Sequence, residues 1–162
     1  EIRPSPHKGT IEISTCDIMP SVRDNVAIAA LIHAMAAKFL ATIKNGQHNP
    51  TPSDWQYREN KWRATRHGLD FDFVISDWGE TKPAKLALLE LLDSLSDAEI
   101  PDGAVAKPAS EIYAADFQHL REIVERGIAS DRIKRVYSAT GRLEDTVRHC
   151  CDEFTFNRPI WT

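Results

Sequence analysis

The chain of 162 residues has only three cysteines, Cys16, Cys150 and Cys151. An odd count with two adjacent residues is not a secreted disulfide framework, and reduced thiols in a cytoplasmic protein are the simpler expectation. No Cys/His spacing matches a zinc site. There is no basic excess: the formal net charge is −4, which argues against a nucleic-acid partner. It leaves small-molecule chemistry open, because a local basic pocket can lie within an acidic protein. A phosphate-binding glycine loop of the Walker or Rossmann kind is missing. So are internal repeats, low-complexity tracts and an apolar N-terminal signal region. The longest apolar run, 26–37, is interrupted by His33 and reads as too short for a membrane span. The first residue is Glu1 rather than Met, and polar, Pro-containing sequence leads almost directly into a strand, so a fragment or a processed product is expected.

What is present suits one soluble domain. With 42% hydrophobic and 27% charged residues, a chain this long can bury a core without disulfides or metal. Residues 10–16 alternate: Ile11, Ile13 and Thr15 face one way, and Thr10, Glu12, Ser14 and Cys16 the other, as in a strand with one polar face. Pro20 stops it. Ser21 with Asp24 resembles a capping box, and a helix to about Asn45 follows, apolar nearly all round and expected to be buried against a sheet. Gly46 can close it. A second helix is expected from Ser53 or Asp54 to about His67, closed by Gly68, with Trp55 and Trp62 read as core. Residues 70–75 alternate as a short strand with Phe71, Phe73 and Ile75 on one side. Pro83 fits the first turn of a third helix with Leu86, Leu89, Leu92 and Leu95 inward. A turn-rich link spans 101–108. Three more helices are expected, at about 110–126, 130–139 and 143–154. One strand alone makes no sheet, so further strands are expected in sequence outside this chain or in a second chain.

Glu12 is the first chemical candidate. A mid-strand carboxylate on a polar face is unusual, since strands disfavour acidic residues. It suits Mg²⁺, a hard cation that takes carboxylate and phosphate oxygens. On spacing alone, an exposed Glu on an edge strand is the favoured explanation. Asp17 reads better as a turn residue. Asn60, Arg63 and Arg66 share a helix face, where two guanidiniums could clamp a carboxylate or phosphate, or simply form a solvated basic face. Arg3, in the stiff Arg3-Pro4-Ser5-Pro6 segment, could enter a site or be a surface connection. His67, His119 and His149 have no partner at a recurring catalytic spacing. Nothing around Cys150 and Cys151 suggests thiolate activation.

Together, Arg3-Pro4-Ser5-Pro6-His7-Lys8-Gly9-Thr10-Ile11-Glu12-Ile13 with Cys16-Asp17, and Glu59-Asn60-Lys61-Trp62-Arg63-Ala64-Thr65-Arg66-His67-Gly68-Leu69-Asp70, resemble the C-terminal half of the glutamate–cysteine ligase type 2 family. The segment from Ile123 to Gly141 has a weaker likeness. The resemblance implies an α+β, glutamine-synthetase-like fold: a curved antiparallel sheet with helices packed outside, this chain being mostly helical and contributing one or two strands. It implies that residues 1–162 are the C-terminal portion of one catalytic domain whose N-terminal portion is absent, to be supplied by the same protein or a second chain. The implied reaction uses ATP and Mg²⁺ to phosphorylate a small carboxylate, usually that of glutamate, which an amine then attacks. By position, Glu12 matches a Mg²⁺ ligand, Asn60, Arg63 and Arg66 a block with nucleotide or substrate contacts, and Arg3 a residue near the site entrance. The family usually has Arg two residues after the strand Glu; this chain has Ser14, which lacks a guanidinium's charge and bidentate reach.

Two other expectations compete with a cytoplasmic ligase that needs neither nucleic acid nor membrane and is free to form homo-oligomers. One is a non-catalytic nucleotide-binding or regulatory relative, which Ser14 would suit. The other is a helical interaction protein in which Glu12 is a surface residue only.

Overall fold

The computed structural model describes residues 2–14, 16–49, 51–102 and 105–161. Among the described residues helices dominate, and the strands pair as three separate antiparallel hairpins. The first is β1 (Ile2–Ser5) with β2 (Thr10–Ile13). Gly9, at φ +63°, supports the turn between them, where the Lys8 and Gly9 N–H groups donate to the carbonyls of Ser5 and Pro6. The long helix α1 (Val22–Lys44) and helix α2 (Asp54–His67) follow. Next come β3 (Asp72–Val74) paired with β4 (Thr81–Pro83), then helix α3 (Ala84–Leu95). The hairpin of β5 (Glu99–Asp102) and β6 (Val105–Pro108) leads into the short α4 (Ala109–Ile112) and α5 (Ala114–Arg126). Helices α6 (Ala129–Thr140) and α7 (Leu143–Phe156) pack on each other.

Several sequence expectations change here. Among the described residues there are six strands rather than one or two, because Arg3-Pro4-Ser5 lies in β1, Thr81–Pro83 forms β4, and the supposed link holds the end of β5 and all of β6. The alternating segment pairs only as far as Ile13; Cys16 is exposed, and the placement expected for Thr15 lies outside the described residues. The short strand expected over 70–75 is present as β3; its buried residue is Val74, and Phe73 and Ile75 are on the more exposed side. Pro83 ends β4 and caps α3 rather than starting its first turn, and Leu86 points outward while Leu92 and Leu95 are buried. Trp55 and Trp62 are surface residues, not core.

Helix α1 departs most from expectation. It is not buried all round. Its inner stripe is Asp24, Ala27, Ala30 and Ala34, small side chains that let α5 and α3 approach, whereas Val26, Phe39, Leu40 and Ile43 are exposed. It packs chiefly on helices, not on a broad sheet. Nor does His33 shorten it: at 23 residues, it is long and apolar enough to cross a membrane by length and composition alone. Its first turn, however, carries a buried carboxylate, as expected for a helix packed inside a protein.

The apolar core lies between α1, α3, α5 and the β5–β6 hairpin, around Ala27, Ala34, Leu92, Leu95, Ile100, Phe117 and Leu120. Neither α6 nor α7 contributes to it. The buried residues of those helices are Arg132 in α6 and Thr146, His149 and Glu153 in α7, all polar. They dock through charge. Arg132 is fully buried and clamps Glu153 with two hydrogen bonds, Nε to Oε1 at 2.5 Å and Nη2 to Oε2 at 3.0 Å. Its Nη2 also donates to Asp24 Oδ2 at 2.9 Å. The other Asp24 oxygen lies 2.7 Å from His119 Nε2. An ionised carboxylate can only accept, so that ring nitrogen carries the proton. Ile160 N–H donates to Glu153 Oε1, and the Trp161 ring lies over the Arg132 guanidinium at 4.9 Å. Burial disfavours the Arg132 charge, but hydrogen bonds and attraction from Glu153 and Asp24 outweigh it and hold its pKa above the ordinary arginine value. Ser21 does cap α1 as expected, its Oγ accepting from the Asp24 N–H, but the Asp24 side chain serves this cluster instead of closing a capping box.

Removing one member of such a cluster leaves uncompensated buried charge. Arg132→Met is expected to destabilise the protein by about 3–5 kcal/mol, read as a fall in the urea midpoint. Arg148→Gln, at an exposed position of α7, should stay within about 0.5 kcal/mol of the parent.

Candidate functional site

The residues singled out from the sequence fall into two places. Arg3 and Glu12 face each other across the β1–β2 ladder. Glu12 is exposed, with Lys8 Nζ 3.9 Å away, an ion pair that solvent weakens and a competing ligand could displace. Apart from Ser5, the hairpin is exposed on both faces, and Ile2, Ile11 and Ile13 stand in solvent. Its principal contacts are internal. A lone two-stranded hairpin is marginal in water, so this one has the character of a sheet margin awaiting cover. Asp17 is exposed in the segment before α1.

Asn60, Arg63 and Arg66 lie on α2, away from the hairpin. Asn60 is buried and holds β3 by its backbone: Nδ2 donates to the Val74 carbonyl at 2.9 Å, and Oδ1 accepts from the Val74 N–H at 2.8 Å. Its side chain copies a strand partner where α2 meets the β3 ladder. One further N–H and one lone pair remain available to it. Arg63 donates from Nε to Glu59 Oε1 and from Nη1 to the Asp72 carbonyl, both at 2.7 Å. Arg66 is exposed in the last turn. Two of the three residues read as a ligand clamp therefore first fix the β3 strand against the helix. Beside them runs an open groove of about 690 Å³, lined by Gln56, Tyr57, Asn60, Lys61, Phe73 and Val74 among others. Its size suits a small molecule, and its walls combine aromatic faces with a few polar groups.

Among the described residues, no three His, Cys, Asp or Glu side chains group closely enough to hold a metal. Glu12 is one carboxylate. Mg²⁺ is commonly held by one or two carboxylates, with substrate phosphates and water completing the shell. Glu12 thus fits as one ligand of such an ion, once Lys8 moves aside.

The sequence reading missed the roles of His119 and His149. His119 belongs to the buried charge cluster, and His149 Nε2 lies 3.1 Å from Glu153 Oε1, off the angle of a hydrogen bond. A helical spacing of four joins His149 to Glu153, a local signal that was available; the Asp24–His119 pairing, 95 residues apart, had none. The three cysteines are free. Burial pushes the Cys150 thiol pKa up, Glu153 and Cys151 add to the rise, and Arg132 opposes it.

Residues 1–149 match the family profile described as glutamate-cysteine ligase family 2. A protein of Bdellovibrio bacteriovorus named "Putative glutamate--cysteine ligase 2" is 36% identical over 157 residues, covering 95% of this chain and 38% of the relative. One of the same name in Thermobifida fusca is 34% identical, covering 98% of this chain and 38% of its own length. A relative in Corynebacterium efficiens, "Putative glutamate--cysteine ligase 2-1", is 33% identical over 99% of this chain and 40% of its own. The chain therefore spans about two fifths of the length of the relatives it matches.

Two outcomes test this geometry. Asn60→Ala removes both bonds to Val74 and strands a buried N–H and carbonyl; a loss of about 2–4 kcal/mol is expected in denaturant unfolding, with Asn60→Asp losing at least as much, because its second oxygen faces the Val74 carbonyl and its charge is buried. A raised pKa leaves less thiolate at a given pH, so Cys150 should react with a thiol reagent more slowly than exposed Cys16 and Cys151 at pH 8, its rate climbing as pH rises further. Three equal rates would contradict this.

Proposed function

The chain belongs to the glutamate-cysteine ligase family 2, and from that premise we propose that it forms part of an ATP-dependent carboxylate–amine ligase. The match over residues 1–149 is the observation that carries the reading. Because the chain spans about two fifths of its relatives' length, the proposal assigns residues 1–162 to the C-terminal portion of a catalytic domain, completed by an N-terminal portion of the same protein or by a second chain. The β1–β2 hairpin supports this. Its exposed isoleucines and two open faces suit the margin of a larger, curved antiparallel sheet of the glutamine-synthetase kind. The enzyme is proposed to be cytoplasmic, acting without nucleic acid or membrane, and free to form homo-oligomers.

In this reading the polar side of β2 faces the reaction. Glu12 would give one carboxylate to Mg²⁺, and Arg3, opposite it on β1, would hold an anionic oxygen of nucleotide or substrate. When bound, the ion neutralises charge on the transferring phosphoryl group. The substrate carboxylate is activated as an acyl phosphate and an amine then displaces phosphate, forming the amide. Glutamate is the family's usual acid. Asn60 and Arg63 would act by holding the β3 wall of the groove beside α2, and exposed Arg66 by offering a guanidinium to an anionic ligand, rather than as a three-residue clamp.

Ser14 favours a second reading. In the place where the family usually has Arg, it cannot give a bidentate contact, as would suit a relative that binds nucleotide without turnover. ADP release that depends on both acid and amine distinguishes the two: turnover supports the ligase, whereas nucleotide binding without release supports the non-catalytic relative. For either, Glu12→Gln should weaken Mg²⁺-ATP binding to the intact protein by about tenfold or more, in line with losing one charge-assisted contact. Unchanged affinity in calorimetry would remove Glu12 from the site.

A further inference from the structure

A second groove, of about 420 Å³, opens beside the buried charge cluster, where the start of α1, the C-terminal half of α5 and the segment after α7 meet. Its lining includes Arg23, Arg126 and Arg158 against a single acidic residue, Glu122. In a chain with formal charge −4 this is a local reversal of sign. Nor is the charge spent within the protein. Among the described residues none of these three guanidiniums has an ion-pair or hydrogen-bond partner; Arg126 lies over the Trp161 ring at 4.6 Å, and Arg23 and Arg158 are exposed. The inner wall is His119, whose Nε2 is committed to Asp24.

The arginines are carried on a fixed frame. Asn157, at φ 48° and ψ 43°, is the one non-glycine residue with positive φ among those described, and its Oδ1 accepts from the Arg23 N–H at 2.9 Å. That bond ties the end of α7 to the first turn of α1. One residue on, the Arg158 N–H donates to the Glu153 carbonyl, and the Ile160 N–H to the Glu153 carboxylate. The backbone bearing Arg158 is therefore anchored to the same Glu153 that Arg132 clamps. A left-handed non-glycine residue is costly and persists where its surroundings hold it.

We propose that this groove binds a small phosphate-bearing ligand, with Arg23, Arg126 and Arg158 as its anion contacts. Three planar guanidiniums from three elements match the oxygens of phosphoryl groups, and a concave wall where positive charge outnumbers negative concentrates such anions. The volume exceeds what a single inorganic phosphate fills, so pyrophosphate is the fitting probe. The proposal stands apart from the ligase reading, since it uses neither Glu12 nor a metal ion.

The experiment is calorimetric titration of the intact protein with pyrophosphate in EDTA, which silences Mg²⁺-dependent binding. Saturable binding is expected, weakening as salt rises. Arg158→Gln and Arg23→Gln should each weaken it about tenfold. Both positions are exposed, so the variants are expected to fold, which circular dichroism checks. Arg142→Gln, on the α6–α7 turn outside the groove, should bind as the parent does. No saturable binding, or equal affinity in Arg158→Gln, Arg23→Gln and the parent, would overturn the site. Citrate bound as tightly as pyrophosphate, with the same arginine dependence, would overturn its assignment to phosphate.

Discussion

The arrangement of this protein depends on one buried guanidinium. Arg132 has no exposed surface and reaches Glu153 on its own helical hairpin and Asp24 on the long first helix. The pairing is exacting because a buried charge is tolerated only when its partners complete it. Apolar contacts would allow α6 and α7 to slide or rotate with modest loss. A guanidinium with two carboxylates fixed to different helices permits far fewer positions. The apolar residues of α7 are correspondingly free of the core: Val147, Phe154 and Phe156 are largely exposed.

The same cluster organises the surface around it. Glu153 holds the backbone of Ile160 as well as Arg132, and Trp161 covers both Arg132 and Arg126. The arginine-lined groove is thus built on the cluster's outer side. The β1–β2 hairpin has no comparable support. Glu12 lies on a ladder whose faces are both open, while α2 and β3 are joined by the Asn60 side chain. One chain therefore combines a firmly tied helical part with a strand margin whose packing is unfilled.

How much of this was legible in the sequence depended on the range of each signal. Helix limits were readable because they are local: Ser21, Gly68 and Gly127 stand at helix ends as their chemistry suggests. The hairpins were not, and proline is the reason. Pro4, Pro83, Pro101 and Pro108 all lie within strands. Proline reads as a breaker because it cannot donate to a ladder, but in a two-stranded hairpin each strand is an edge, where a missing N–H costs little. The apolar perimeter of α1 suggested burial all round, yet only its alanine stripe is covered. Among the candidate residues, the exposed strand position of Glu12 was readable, whereas the attachment of Asn60 to Val74 was not, because no sequence period links a helix side chain to a strand backbone 14 residues away. Asp24 and Arg132, 108 residues apart, lay further beyond any local pattern.

Joining a helical hairpin to an apolar core through ions also gives the molecule two different responses to heat. Apolar association weakens on cooling, as hydration of hydrocarbon becomes less unfavourable. The cost of stripping water from charged groups falls on warming, because their hydration carries a strongly negative entropy. As temperature rises, the desolvation cost of the seam around Arg132 therefore keeps falling, whereas the gain per unit area of an apolar seam levels off. Cooling is the direction in which α6 and α7 gain least from being bound this way.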